Sequence, residues 1–406
     1  MAASIHAAYR SCVKISRINT YEMQSMCGGC RLQSARRLVE RTVHTSSPQC
    51  QASRTTYQQQ QHKKQRWRRL LLTVGAGTLT YCTYRVITSG RPSGRQAQPW
   101  QVSLYRKMPL KTISRLWGKF NEMDLPISLR RPLLGLYVWM FGCKLDEAAD
   151  QELKNYKNLG QFFRRTLKPD VRPVCDKHIM TSPADGRILH FGEVEDGVLE
   201  QVKGVTYSLS GFLGPISWQT DKNTDHSSDE DYHIKLNLKP GNKLYHCIIY
   251  LAPGDYHRFH SPTDWSVKYR RHFPGELLSV NPGVARWIQG LFNFNERAVY
   301  YGDWQHGFFS FTAVGATNVG SIKIYCDEEL DTNTGHKHQD GVFYDKCLVD
   351  TDTSEIPVKK GEMFGEFNLG STIVLIFEAP KNFQFTVEND LKVQFGQPLG
   401  TCLSTN

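Results

Sequence analysis

Acidic residues are almost missing from the start of the chain. Up to Arg69 only Glu22 and Glu40 carry negative charge, while Lys and Arg recur throughout. This depletion accounts for the formal net charge of +11 over 406 residues. The remainder is close to balance, and no RNA- or DNA-binding signature accompanies the excess, so no nucleic acid partner is expected. Cysteine pairs at metal spacing are lacking too. Of 11 cysteines, only Cys27 and Cys30 in CGGC lie close together, with no second pair at zinc spacing and no βαβ context. Cys143, Cys247, Cys326 and Cys347 lie in apolar surroundings and are expected as buried thiols. His233, His336 and His338 lie in or near polar loops without ordered carboxylate or thiol spacing, which points to surface histidines and no metal. No uncharged run reaches the ~20 residues that usually span a bilayer. The longest candidate, Leu70 to Tyr84, ends at Arg85. It attains that length only if Arg85 snorkels and Val86 and Ile87 are counted.

What is present falls into five parts. Residues 1–69 are Arg-rich, Ser-containing and acid-poor, with a Gln-rich stretch from Gln51 to Gln65. That composition predicts a mitochondrial targeting leader followed by a disordered segment. Residues 70–88 read as a short transmembrane anchor. The cluster Lys63, Lys64, Arg66, Arg68 and Arg69 would stay in the matrix by the positive-inside rule, so the rest faces the intermembrane space from the inner membrane. Residues 89–108 form a Gly, Pro, Ser and Arg linker. In residues 109–165, Ile113, Leu116, Trp117 and Phe120 share one helical face flanked by Lys111, Arg115 and Lys119. After Pro126, Arg130 and Arg131 precede the apolar run Leu133 to Phe141. Such helices suit a membrane interface, and packing on their own domain is the alternative. Residues 166–406 alternate short apolar runs with Gly, Pro, Asp and Asn, as in Ile188–Phe191, Tyr245–Leu251, Phe308–Val314 and Ser321–Tyr325. The expected fold class is α+β, with N-terminal membrane-associated helices followed by a mainly antiparallel β catalytic domain. The segment Asp221 to Asp231 reads as a polar loop.

Near the C-terminus the chain reads VKKGEMFGEFNLGSTIVLIFEAP, Val358 to Pro380. Ile373 to Phe377 is a β-branched and aromatic run, predicted as a buried strand. Gly370 falls in the turn before it, where a missing Cβ opens backbone angles closed to other residues. Ser371 and Thr372 open the strand, so a hydroxyl lies beside the unshielded carbonyl of Gly370. A plain turn explains these residues equally well when taken alone. Two more stretches supply the groups Ser371 would need. SPADG, Ser182 to Gly186, sets Asp185 in a turn that opens a strand. LAPGDYHRFHSP, Leu251 to Pro262, follows a strand and carries His257 and His260.

These three motifs, in this order, resemble phosphatidylserine decarboxylase. The resemblance runs from Arg165 in RTLKPDVRP to GQPLG at Gly396 to Gly400. It includes PGELLSVNP (Pro274 to Pro282), FNERAV (Phe294 to Val299) and VGATNVGSI (Val314 to Ile322). The leader and anchor point to the mitochondrial form. The resemblance implies a precursor that cuts itself between Gly370 and Ser371. Its fragments, α and β, stay together as a heterodimer, and Ser371 becomes a covalent pyruvoyl cofactor. Asp185, His260 and Ser371 match the self-cleavage triad, and His257 matches the histidine of the decarboxylation step. The implied substrate is phosphatidylserine in the membrane, and the products are phosphatidylethanolamine and CO2.

The chemistry is consistent with these residue types. A serine hydroxyl is a poor nucleophile until a histidine held by a carboxylate takes its proton. Attack on the Gly370 carbonyl gives an ester, and loss of the Ser371 α-proton expels the Gly370 carboxylate. A ketone derived from serine can accept the electron pair of a departing CO2, the task PLP usually performs, and no PLP-binding pattern is visible. Two alternatives remain at this stage: a Ser-His-Asp hydrolase acting on lipids, and a non-enzymatic membrane adaptor. The hydrolase lacks its elbow. G-x-S-x-G requires a glycine two residues after the serine, where Ile373 stands, and a helix where a strand is predicted.

Overall fold

The computed structural model describes residues 96–403, apart from 203, 217–235, 237, 318–320, 335–340, 349–354 and 369. The expected leader, the anchor, the first part of the linker, the loop Asp221 to Asp231, and His233, His336 and His338 all lie outside the described residues.

The run Ile373 to Phe377 is strand in the structure, and every one of its side chains is fully buried. It belongs to β14 (Ser371–Pro380), which pairs along most of its length with β5 (Asn242–Leu251) and β9 (Gly307–Val314). Alternate side chains enter two different cores. Val374 and Ile376 join one, and Ile373, Leu375 and Phe377 join the other. Burial on both faces is why the strand reads as a continuous apolar run rather than an alternating one. At about 1.5–3 kcal/mol each, these five side chains contribute on the order of 10 kcal/mol before chain entropy is subtracted.

Strands are numbered in chain order. The large sheet is antiparallel throughout. From one edge it runs β11 (Tyr344–Cys347), β7 (Trp265–Phe273), β8 (Arg297–Trp304), β9, β14, β5, β2 (Gly186–Glu193) and β16 (Lys392–Val393), with β12 (Ile356–Val358) also on β7. A second sheet joins β10 (Ile322–Ile324), β13 (Met363–Phe367) and β6 (Arg258–His260). A third joins β1 (Met180–Thr181), β17 (Pro398–Cys402) and β15 (Phe383–Phe385), and β3 (Val198–Val202) pairs with β4 (Val205–Ser208). The expected strand segments at Ile188, Tyr245, Phe308 and Ser321 map onto β2, β5, β9 and β10. Among the described residues the structure is thus mixed helix and mostly antiparallel sheet. One expectation fails. Cys347 is exposed, because β11 is an edge strand with a partner on one side only; Cys143 and Cys247 are buried, and Cys326 is partly so.

Helices α1 (Pro99–Arg106), α2 (Leu110–Asn121) and α3 (Ile127–Phe141) precede the sheets. Helix α2 is turned inside out. Ser114, Gly118 and Asn121 are buried, whereas Ile113, Leu116 and Phe120 are exposed. In α3 only Leu134 is buried, and Trp139 is 79% exposed. Helix α3 nonetheless rests on the loop after β5: the Tyr137 hydroxyl donates to the Pro253 carbonyl at 2.8 Å. The Phe141 carbonyl oxygen occupies the space a Cβ on Gly254 would need. Only glycine permits that approach. Among the described residues no helix is long and apolar enough to cross a membrane.

Candidate active site

Ser371 is the first residue of β14, in register with Leu251 at the end of β5. Gly370, before it, has φ +21°, on the left-handed side, with no atom within 4 Å of a Cβ built there. Its need for glycine is therefore conformational and not steric. Ser371 is fully buried, and its Oγ has no hydrogen-bond partner; the same holds for Thr372 Oγ1. A buried hydroxyl without a partner costs free energy and calls for an explanation, a chemical role being one.

The loop from β5 to β6 carries both histidines. Asp255 closes it by accepting the Ala252 N–H at 2.9 Å. His257 Nδ1 lies 2.8 Å from the Asp255 carbonyl. A carbonyl only accepts, so Nδ1 holds the hydrogen and Nε2 the lone pair. That Nε2 is buried and without a partner. Helix α4 (Leu159–Phe163), capped by Asn158, packs Phe163 against the imidazole at 3.8 Å between ring centres. Burial pushes the His257 pKa down to about 3, so the ring is a neutral base. The His257 carbonyl accepts the Phe367 N–H at 3.0 Å. This ties the histidine loop to the turn that carries Gly370, three residues further on.

His260 ends β6. Its Nδ1 lies 3.0 Å from the Gly361 carbonyl, and its Nε2 lies 3.1 Å from the Tyr256 hydroxyl. By the same logic Nδ1 donates, and Nε2 accepts from Tyr256. The Phe395 ring stacks on the imidazole, and burial lowers the pKa to about 4. Asp185 lies nearby but is engaged elsewhere. It accepts Arg172 Nε at 3.1 Å, Arg172 Nη2 at 2.7 Å and the Phe395 N–H at 2.9 Å. Arg172 also pairs with Glu147. Backbone hydrogen bonds hold the motifs together: His260 N–H to the Pro183 carbonyl, and Gly396 N–H to the Ser182 carbonyl.

The structure thus gathers the SPADG turn, the histidine loop, the GQPLG segment and the Ser371 turn around one end of β14 and β5. It does not join Asp185, His260 and Ser371 into a hydrogen-bonded chain. The tautomer of His260 is set by Gly361, and of the two histidines it is His257 that keeps an unpartnered lone pair. Sequence reasoning passed over Tyr256, Arg172 and Phe395. All three stand within or beside quoted motifs, but nothing in their spacing marks them as partners. Among the described residues no cluster of His, Cys, Asp or Glu has the makings of a metal site.

Comparison with known proteins places this geometry. The sequence profile of phosphatidylserine decarboxylase matches residues 159–401. Over 307 residues the chain is 56% identical to the mitochondrial phosphatidylserine decarboxylase proenzyme of Cricetulus griseus, covering 75% of each chain. It is 55% identical to that of Rattus norvegicus over the same length and shares. It is 39% identical over 369 residues to proenzyme 1 of Saccharomyces cerevisiae, covering 74% of each. The profile covers every residue of the site just described except Glu147 and the helix cap Asn158, and the chain belongs to the phosphatidylserine decarboxylase family.

Proposed function

We propose that this chain, a decarboxylase converting phosphatidylserine to phosphatidylethanolamine and CO2, makes its catalytic carbonyl from its own Ser371. The observation that carries the reading is that two buried groups, Ser371 Oγ and His257 Nε2, each lack a partner, on segments joined by the Phe367 N–H to His257 carbonyl bond close before the left-handed Gly370. A proenzyme needs a nucleophile without competing hydrogen bonds, beside an accessible carbonyl and a neutral base.

Ser371 Oγ attacks the Gly370 carbonyl carbon as its proton passes to a histidine. The C–N bond breaks, and the Gly370 acyl group moves to oxygen. Abstraction of the Ser371 α-proton then releases Gly370 as a carboxylate. The dehydrated residue takes up water and loses ammonia, leaving a pyruvoyl group at the head of the C-terminal fragment. The buried, unpartnered position of Ser371 fits that group, which supplies an electron sink for decarboxylation when formed.

His260 is the proposed base for cleavage, its lone pair resting meanwhile on Tyr256. His257 is proposed to take a proton from the substrate ammonium on its unpartnered Nε2, freeing the amine to react, and to return it to the decarboxylated carbon. Asp185, held by Arg172, supports His260 through Phe395. The unpartnered Nε2 of His257 favours a second assignment in which it serves as the cleavage base as well. His257→Ala separates the two. A cut but inactive variant upholds the first, and an uncut one the second.

The exposed apolar faces of α2 and α3 support membrane-associated helices, docked so that lipid reaches the histidine loop. The relatives are mitochondrial by name. An inner-membrane site facing the intermembrane space follows from the basic cluster before the expected anchor. The two fragments would remain paired, since β14, after the cut, is hydrogen-bonded to β5 and β9, which lie before it.

The test is intact mass of the purified protein. Two fragments, ending at Gly370 and starting with a blocked residue 371 that borohydride reduces, are expected. A single full-length chain in active material, or a free amine at Ser371, defeats the proposal. Ser371→Ala should remain uncut, with activity lowered by ~10³-fold or more.

A further inference from the structure

Arg165 follows α4 and is 4% exposed, yet it pairs with no carboxylate among the described residues. Its Nη2 donates to the Gly254 carbonyl at 3.3 Å, and its guanidinium carbon lies 5.0 Å from the centre of the Phe162 ring. Its Nε and Nη1 have no partner. A buried cation in that condition is costly, and such groups persist where a ligand completes them.

Arg165 lines a cavity of about 50 Å³ together with Gly142, the cations Lys144 and Lys392 and the carboxylates of Glu147, Asp185 and Asp255. At ~10–15 Å³ per water, that is space for about three to five waters, enough for a small polar group and not for a lipid chain. The other charges around it are matched. Lys144 pairs with Glu147, Arg172 with Glu147 and Asp185, and Lys392 with Asp255. The Arg165 charge alone is uncompensated. One wall is Gly142, the residue that ends α3, three positions after the exposed Trp139. The cavity therefore lies at the end of the helix that carries the exposed Leu136 and Trp139.

We infer that Arg165 binds the phosphodiester of the lipid headgroup, with Nε and Nη1 as its unused donors. This rests on the function proposed above and adds a recognition site to it. The headgroup also carries a carboxylate, but that group loses its charge in the reaction. A guanidinium holding it would stabilise the ground state more than the transition state, and so oppose catalysis. The phosphate keeps its charge throughout and is the better anchor.

The experiment compares wild type, Arg165→Met and Arg165→Lys as full chains on phosphatidylserine vesicles. Each is checked for self-cleavage by gel and for melting temperature. Arg165→Met should be cut normally and melt no lower than wild type, because an uncompensated buried charge has been removed. Its KM should rise about 10- to 100-fold with kcat nearly unchanged. Arg165→Lys should fall between. Water-soluble headgroups identify the anion. Glycerophosphoethanolamine, which has phosphate but no carboxylate, should inhibit wild type and lose that inhibition in Arg165→Met. Equal inhibition of both proteins overturns the inference. So does selective loss of glycerophosphoserine binding, which would assign Arg165 to the carboxylate. A variant that stays uncut, or melts several degrees lower, gives Arg165 a processing or structural role instead. If wild type itself does not decarboxylate the vesicles, the failure belongs to the proposed function and not to this site.

Discussion

The Phe395 ring lies 3.7 Å from the His260 imidazole and nearly parallel to it, at 14°. The backbone N–H of the same Phe395 donates to Asp185. Asp185 therefore reaches His260 through an aromatic plate and not through a direct hydrogen bond.

This arrangement separates charge from stacking. Asp185→Asn weakens a buried ion pair with Arg172, whose side chain is 5% exposed. It should cost about 3 kcal/mol in stability and leave precursor uncut. Phe395→Leu keeps the ion pair but removes the plate. It should slow self-cleavage ~10-fold for a smaller loss of stability, read by pulse-chase on gels and by chemical denaturation. Wild-type cleavage in Phe395→Leu would remove the indirect link.

Acid should destabilise the protein through its buried histidines. Their ordinary value is 6.5, and burial lowers His257 and His246 to about 3 and His260 to about 4. Between these values the unfolded chain binds protons that the folded chain does not. The contribution is fully present above pH 6.5 and is lost as the pH falls through 4 toward 3. Denaturant midpoints at pH 7.5 and 5 should show the drop, and His257→Gln should flatten it. Above pH 6 the cleavage rate should be independent of histidine titration.

Two glycines should fail for different reasons. Gly370→Ala forces a Cβ onto a left-handed backbone in open space, at a cost of about 1–2 kcal/mol, and should slow cleavage. Gly254→Ala drives a Cβ into the Phe141 carbonyl. It should cost about 1–3 kcal/mol and shift α3 off the histidine loop. Thermal melts and decarboxylation of cut protein distinguish them: Gly370→Ala, once cut, should be active, and Gly254→Ala should not.

The exposed face is tested by replacing Leu116, Leu136 and Trp139 with Ser together. The melting temperature should hold, because these side chains are already in contact with solvent. Vesicle binding should fall by ~10-fold or more, while turnover of a short-chain soluble substrate is retained. Unchanged vesicle binding would exclude these helices as the docking surface.

Legibility differed by element. β14 and β5 were readable because burial on both faces writes a continuous β-branched and aromatic run. The periodicity of α2 was readable too, but not its direction: Ile113 and Leu116 mark an apolar face without saying whether protein or lipid covers it. The buried side, Ser114 and Gly118, gives no signal, because small residues pack well and stand out in no hydropathy pattern. Cys347 was misjudged for a related reason, since an apolar neighbourhood in sequence does not reveal an edge strand.

The order of residues alone determined the family, and it put forward the bond between Gly370 and Ser371 and the short list of His257, His260 and Asp185. It did so because turns, hydroxyls and imidazoles at those spacings are local properties of the chain. Only the tertiary structure decided which of them touch. It gave Asp185 to Arg172, His260 to Tyr256 and Gly361, and left Ser371, His257 and Arg165 with unmet hydrogen bonds. Partner choice among buried polar groups is settled within about 3 Å, by segments as far apart as Arg172 and Phe395, and no spacing along the chain encodes that distance.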